Sequence, residues 1–360
     1  MDRKDCLVIG CGGCGGNQLD NLLSIDDRYT SLFINTNLGE LEILENCNER
    51  NSFYIPNADG TGKKRELAKK YFIEEQTNLI EMLSKFVQPN VFLLSSTDGG
   101  TGSAATIILS KIFHRFAPEK KINIISTFPS LNAGKISFKN TLNFWNELMG
   151  LSSKHIINSI QFIDNNKPFS EKEINKRAMK ILDKSFDIVG GKIDSSDLES
   201  CHNHYGYKAI LDIKNDNVSL TDGIMDFIED SVYYLPKISE DNNSIYQCKK
   251  LIANINENYN AKELTSIIEI FDDYKINTTY DKDTTIIMSG CKIPKEPIEL
   301  IKGALDEIEN RSNNFDSDFD EDLFVDVKKE KSELEKPIKN KKSSRMTKEV
   351  LQAFLSDDLF

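Results

Sequence analysis

Short apolar runs alternate through the first half of the chain with stretches whose apolar residues recur every three or four positions. The runs are Leu7–Ile9, Ser31–Ile34, Val91–Leu94, Ile122–Thr127 and Ser159–Ile163, each closely followed by glycine, asparagine, aspartate or proline. Continuous apolar segments of this length suit strands buried on both faces of a parallel sheet. Between them, helical spacing appears at Leu19, Leu22 and Leu23, and in a short piece at Leu38, Leu41, Ile43 and Leu44. Leu67, Ala68, Tyr71, Phe72, Leu79, Ile80 and Leu83 mark the inner face of a long helix from Arg65 to about Phe86. Two further helices are expected, one through Ala104, Ala105, Ile107, Ile108, Ile112 and Phe113, the other over Phe138–Leu151. Strands and helices alternating at this pace predict an α/β fold, a parallel sheet with helices on both faces. Ligands then sit at the carboxyl ends of the strands.

Glu171–Val189 reads as one long helix, with Ile174, Ala178, Ile181, Leu182, Phe186 and Val189 at helical spacing and Gly190-Gly191 ending it. The texture changes from Tyr205 onward. Tyr207–Ile213, Lys249–Asn256 and Thr284–Ser289 look like strands, and Leu220–Ile228 and Ala261–Tyr274 like helices, which predicts a smaller mixed α+β domain. The expected organisation is a ligand-binding domain over 1–170, a central helix over 171–191, a second domain over 192–305 and a tail over 306–360. The tail divides by charge. Asp306–Asp326 carries nine acids and one base and reads as a spacer without fixed structure, whereas Lys328–Lys348 carries nine bases and three acids. Thr347–Phe360 closes with Val350, Leu351, Phe354, Leu355, Leu359 and Phe360, an amphipathic stretch suited to docking a partner.

Two glycine loops stand at the ends of buried strands: Gly10-Cys11-Gly12-Gly13-Cys14-Gly15-Gly16-Asn17 and Asp98-Gly99-Gly100-Thr101-Gly102-Ser103. Glycines let a backbone approach a ligand closely, and the free N–H groups of a helix start attract phosphate. Either loop alone could be a plain tight turn. Gly10, Gly12 and Gly15 satisfy the dinucleotide fingerprint GxGxxG, but the second strand ends in Asn35-Thr36-Asn37, with no carboxylate for a ribose and Glu40 late for that role. Gly60-Thr61-Gly62-Lys63-Lys64 fails the spacing of a Walker A loop.

The 360 residues carry a formal net charge of −12, which argues against a chain that binds nucleic acid or anionic membrane over its whole surface. Seven scattered cysteines do not suggest a disulfide framework, so a reducing cytoplasm is expected. Cys11 and Cys14 have the spacing of half a zinc site without a second half. No signal peptide or membrane-spanning run is recognisable, and no membrane partner is expected.

Taken in order, GCGGCGGN at 10–17, NTN at 35–37, DGTGKKR at 59–65 and GGTGS at 99–103 resemble the nucleotide-binding loops of the tubulin/FtsZ superfamily. The sequence departs from that pattern at Asp98 and Ala104, where relatives usually have glycine, and at Ala133, where a ribose-contacting carboxylate often stands. The resemblance implies GTP/GDP binding with Mg2+. It places Gly12, Gly13, Cys14, Asn17, Asn35, Gly60, Gly62, Gly99, Gly100, Thr101, Gly102 and Ser103 around the nucleotide, with Asn165, after the strand Ser159–Ile163, at the guanine edge. Asn175 is either a second guanine contact or a solvated first-turn residue. Lys192-Ile193-Asp194-Ser195-Ser196-Asp197 resembles the loop NxDxxD, with lysine for asparagine. By residue type alone, Asp194 and Asp197 are helix-capping acids; by resemblance they are catalytic, reaching the nucleotide of the next subunit so that hydrolysis needs assembly. His202 and His204 read as hydrogen-bonding or solvated rather than metal-bound.

The variant loops and the charged tail look most like the plasmid- and phage-borne TubZ branch. That likeness implies a GTPase that polymerises with itself head to tail into cytomotive filaments. Such filaments move plasmid or phage DNA through a DNA-binding adaptor of TubR type, held by the C-terminal tail. The alternatives are a phage spindle or FtsZ-like division filament and, from other classes, an NAD-binding Rossmann oxidoreductase or a non-hydrolysing scaffold.

Overall fold

The computed structural model describes residues 1–317 apart from 57, 217, 237–245 and 281. The chain opens with β1 (Cys6–Cys11), α1 (Gly12–Ile25), β2 (Thr30–Asn35), α2 (Leu38–Glu42) and β3 (Ser52–Tyr54). It continues with α3 (Arg65–Glu74), α4 (Gln76–Leu83), β4 (Asn90–Ser96), α5 (Thr101–Phe116), β5 (Lys121–Phe128), α6 (Lys135–Ser153) and β6 (Ser159–Asp164). Then come α7 (Glu171–Lys184), α8 (Ser195–His202), β7 (Gly206–Ile213), α9 (Leu220–Asp230), β8 (Tyr246–Asn256), α10 (Ala261–Ile267), β9 (Ile268–Thr279), β10 (Thr284–Cys291) and α11 (Glu296–Ser317).

Among the described residues the strands form one ten-stranded sheet in the order β3-β2-β1-β4-β5-β6-β7-β10-β8-β9. From β3 to β7 every pairing is parallel; β10 is antiparallel to both β7 and β8, and β8 runs parallel to β9. The fold is therefore α/β with a parallel-dominated sheet, as the alternating pattern predicts. All six residues of β1 are buried, because helices cover both faces of the sheet and leave no side for water. The halves read as separate domains share this sheet, joined by two residue pairs between β6 and β7, Ser159 with Gly206 and Ile160 with Tyr207. Met1–Leu305 packs as one compact unit.

Strand order reverses between β1 and β4, so the loops at their carboxyl ends diverge and leave a crevice. This is where an open α/β sheet takes its ligand. The other end of the sheet is locked by a buried ionic cluster. Arg3, only 6% exposed, bonds Asp183 Oδ1 of α7 at 2.6 Å, with Asp187 Oδ1 at 3.0 Å and Asp26 Oδ2 at 3.2 Å beside it, while the Tyr29 hydroxyl donates to Asp183 Oδ1 at 2.8 Å. At the crevice end of α7, Gln18 of α1 donates to Asn175 Oδ1 at 3.1 Å. The helix thus runs the depth of the sheet, about 21 Å for 14 residues.

Several elements differ from the sequence expectation. The long helix expected from Arg65 breaks at Glu75 into α3 and α4. Central helix α7 ends at Lys184 and tightens into a 3-10 turn over Ser185–Ile188; Gly190 and Gly191 then form a turn closed by paired backbone bonds between Gly190 and Ile193. The helix expected over Ala261–Tyr274 is α10 followed by β9. Ile268, Ile270, Phe271 and Tyr274 have helical spacing, but Phe271 and Tyr274 are exposed, and the β-branched and aromatic residues favour a strand once β8 is available to pair. The acidic segment expected to lack structure is helical as far as Ser317. Strand β3 has no clear sequence signal. The basic segment Lys328–Lys348 and the amphipathic stretch Thr347–Phe360 lie outside the described residues. Among the described residues no helix is long and apolar enough to cross a membrane.

Candidate functional site

The loops after β1, β2 and β4 and the segment Asp59–Lys63 enclose a cleft of about 380 Å³. Its walls include Gly12, Gly13, Cys14, Asn35, Gly60, Gly62, Gly99, Gly100, Thr101 and Gly102, all singled out in the sequence. Cys11, Thr36, Asn37, Glu40, Asp59, Thr61, Lys63 and Ser96 complete it.

Glycine is required where two of these loops meet. Gly12 has a φ of +67°, and a Cβ there would stand 2.9 Å from the Gly102 nitrogen; a Cβ on Gly102 would stand 2.5 Å from the Cys11 carbonyl oxygen. The starts of α1 and α5 therefore pack backbone against backbone at one end of the cleft. Neither helix has a side-chain N-cap: Cys11 and Gly100 occupy the cap positions without a capping bond. The first N–H groups of two long helices, with both dipoles behind them, are left for a ligand. The starts of α2, α7, α8, α9 and α10 are capped by Asn37, Ser170, Asp194, Ser219 and Asn260; those of α3, α4 and α6 are also uncapped, but of the uncapped helices only α1 and α5 contribute residues to the cleft. An anion with several oxygens is the complement of the uncapped pair.

Hydroxyls and amides shape the remaining walls. Thr101 Oγ1 lies 2.7 Å from Thr36 Oγ1 and 3.3 Å from Thr61 Oγ1, so three loops meet at one hydroxyl. Asn35 Oδ1 accepts from the N–H groups of Thr36 (2.8 Å) and Asn37 (3.2 Å), and its amide donates to Glu40 Oε2 at 2.8 Å. Glu40, late in sequence for a ribose contact, is thereby turned into the cleft against Gly13. Burial pushes the Cys11 and Cys14 thiols up to about 12, so both are protonated and unreactive at neutral pH. Among the described residues no group of His, Cys, Asp and Glu has the arrangement of a metal site. Mg2+ fits in another way. It takes few protein ligands and rides on phosphate oxygens, and Glu40 and Asp59 supply hard oxygen donors in the cleft.

Four expected site residues lie outside the lining of this cleft. Ser103 is fully buried behind the loop, accepting from Arg65 Nε at 2.9 Å and donating to the Gly99 carbonyl, so it braces the turn. Asn17 is exposed on α1, with its carbonyl accepting from Asn21 Nδ2 at 2.7 Å. Asn165 is half-buried in the loop after β6. Asn175 is buried, held by Gln18, whose amide also reaches Thr127 Oγ1 at 2.7 Å while its Oε1 has no partner.

Asp194 and Asp197 stand at the opposite end of the sheet. The Met1 ammonium donates to the Ser195 carbonyl at 2.5 Å, which places α8 at the amino end of β1, about 20 Å of strand away from the cleft. The two acids form a reciprocal capping box: Asp194 Oδ1 accepts from the N–H groups of Ser196 (2.8 Å) and Asp197 (2.9 Å), and Asp197 Oδ2 accepts from the Asp194 N–H at 2.9 Å. The Ser196 hydroxyl, then the two N–H groups, hold the Asp194 carboxyl down at about 2. Asp197 Oδ1 pairs with Lys275 at 2.6 Å. Asp194 Oδ2 alone of the four oxygens keeps its lone pairs free among the described residues. Of the two sequence readings, the structure displays the capping one.

His202 is wholly buried, stacked on Phe186 with ring centroids 4.9 Å apart, and its Nδ1 faces the Lys208 amine at 3.2 Å. The sequence also gave no weight to Lys63, Thr36 or Thr61. A charged residue in the Asp59–Arg65 loop, opposite an aspartate where glycine is usual, was the available signal for the first.

Residues 5–169 match the description Tubulin/FtsZ family, GTPase domain. The tubulin-like protein TubZ of Clostridium botulinum C phage is 30% identical over 176 residues, 48% of this chain and 49% of that protein, so the alignment spans about half of either. The tail-truncated structure of Clostridium botulinum phage c-st TubZ superposes with a TM-score of 0.75 at 22% identity, covering 86% of this chain and 99% of that one. A GTPγS-form protofilament of Bacillus thuringiensis serovar israelensis TubZ gives a TM-score of 0.73 at 14% identity, covering 88% and 94%. The two superpositions show a shared fold over most of the chain. With its paired glycine loops at the strand switch, the part of this chain over residues 5–169 is similar to the GTPase domain of the Tubulin/FtsZ family.

Proposed function

We propose that the chain binds GTP with Mg2+, polymerises head to tail and hydrolyses GTP at a site completed by the next subunit. The observation that carries this reading is the placement of two features at opposite ends of one sheet. The uncapped starts of α1 and α5 face one end, and the open oxygen of Asp194 faces the other. Stacking copies along the sheet axis brings Asp194 of one subunit to the phosphates of its neighbour.

Phosphoryl transfer needs mainly positioning and charge stabilisation. The α1 and α5 amides hold the phosphate oxygens, and Gly12 and Gly102 keep side chains out of their way. Glu40 and Asp59 would hold Mg2+ in the cleft, where it would supply further neutralisation of phosphate charge. Asp194, ionised throughout the neutral range, orients the attacking water through Oδ2, while Asp197 and Lys275 hold the loop that presents it. Asn165 and Asn175 bind the guanine edge, with Gln18 setting the orientation of Asn175.

TubZ from the phage relative and the protofilament-forming TubZ favour a filament that moves plasmid or phage DNA over a division filament. The tail would hold a DNA-bound adaptor of TubR type, and seven free cysteines suit a reducing cytoplasm.

The test is GTP turnover per subunit against protein concentration, with Mg2+ present. Specific activity should be near zero at low concentration and rise beyond a threshold. Asp194→Asn keeps the capping acceptor and replaces the open oxygen with an amide, so it should pellet with GTP and lose at least about a hundredfold in turnover, the scale of general-base contributions. Specific activity independent of concentration would refute a shared site.

A further inference from the structure

Charge in the phosphate cleft is unevenly placed. Among the lining residues Glu40 and Asp59 are acidic, and Lys63 is the single cation. Lys63 has a φ of +62°, a left-handed conformation rare for a residue with a side chain. Its position is fixed from both sides. Asn140 Nδ2 donates to the Lys63 carbonyl at 2.7 Å and to the Asp98 carbonyl at 2.9 Å, tying this loop to the one that starts α5. The two loops touch: a Cβ on Gly100 would lie 3.1 Å from the Lys63 carbonyl carbon. The ammonium, on a side chain 50% exposed, donates to Asp98 Oδ2 at 2.9 Å and to Ser137 Oγ at 2.5 Å.

The Lys63 backbone is thus fixed beside the start of α5, and its ammonium is held by one carboxylate and one hydroxyl. With the lysine end of the pair open to water, solvent screening weakens it. A terminal phosphate carries up to twice the charge of a carboxylate and three acceptor oxygens, so at similar distance it outcompetes Asp98 for the ammonium. The inner phosphates are already served by two helix starts.

We propose that Lys63 reads the terminal phosphate: its ammonium rests on Asp98 when the cleft is empty or holds GDP and transfers to the γ-phosphate of GTP. This rests on the GTP reading above and adds to it how this chain tells the two nucleotides apart. Asp98 sets the threshold, because it competes with the phosphate for the same donor. Lys63 and Asp98 therefore act with opposite sign on the preference, whereas two halves of a purely structural latch act with the same sign.

Affinities for GTPγS and for GDP, each with Mg2+, are measured by calorimetry on the full chain below the concentration at which it pellets. The wild-type chain should prefer GTPγS. Lys63→Met should cut that preference about tenfold, ~1.4 kcal/mol, Lys63→Arg should largely keep it, and Asp98→Asn should keep or increase it. Equal loss for both nucleotides in Lys63→Met and Asp98→Asn would show a latch and overturn the proposal, as would an unchanged preference in Lys63→Met. A wild-type chain that binds guanine nucleotides without preferring GTPγS removes the sensor and leaves the GTP site standing. Binding of neither nucleotide removes both.

Discussion

Lys208 offers a prediction whose size follows from the structure. Its amine is buried at the start of β7, 1% exposed, with no carboxylate paired to it among the described residues; the polar atom it reaches is His202 Nδ1 at 3.2 Å, and the Phe92 ring centroid lies 5.1 Å away. The other ionisable groups that face it are the Cys6 and Cys201 thiols. Burial drives the amine from 10.5 down to about 7. The unfolded chain therefore holds a proton on Lys208 up to about pH 10.5, while the folded chain releases it near 7. Between those limits the unfolded state binds more protons, so stability rises with pH. The cost of burying the amine is on the order of 4 kcal/mol at about pH 7 and falls by about 1.5 kcal/mol by pH 8.5.

Lys208→Met removes this cost and fills a similar volume, but it leaves His202 Nδ1 without its partner, a penalty of about 1–3 kcal/mol. The variant should be more stable than the wild type by about 1–3 kcal/mol near pH 7, with the gain shrinking by about 1.5 kcal/mol near pH 8.5. Urea unfolding followed by the fluorescence of Trp145, which packs against Phe128 and Phe162, reads both points. The window stays below pH 9 because burial raises the Cys6 and Cys201 thiols, and their ionisation in the unfolded chain at higher pH lowers stability. Wild-type stability flat over this window, together with a destabilised Lys208→Met, would refute the reasoning.

Removing residues after about 330 should leave GTP-dependent pelleting intact and abolish capture of an adaptor–DNA complex; lost pelleting would reassign the tail to assembly. Arg3→Leu strands the buried Asp183 without its cation and should cost about 3–5 kcal/mol in urea unfolding, the range for breaking a buried ion pair.

The strands β1, β2 and β4–β6 and the glycine loops behind them were legible because their signals are local. A buried parallel strand needs an unbroken apolar run, and a loop that meets another backbone needs glycine, as at Gly12 and Gly102. Three of the four adjacent loops carried glycines and the fourth, Asn35-Thr36-Asn37, asparagines, and ten of the expected binding residues line one cleft. Apolar spacing states which side of a segment is covered but not by what. Ile268–Thr279 became a strand because β8 offered a pairing edge, and no feature within that segment records β8.

The sequence by itself determined the buried strands, the glycine turns and the helix-starting acids at Asp194 and Asp197, since each depends on residues within a few positions of itself. Only the tertiary structure decided the pairings of charge. Lys63 meets Asp98 across 35 positions, Asp197 meets Lys275 across 78, and Arg3 meets Asp183 across 180. Electrostatic partnership acts through space over a few ångströms, and nothing in the order of residues fixes which distant groups come that close. The separation of the glycine-lined cleft from Asp194 by the depth of the sheet belongs to the same class. It follows from where β1 begins and ends in three dimensions.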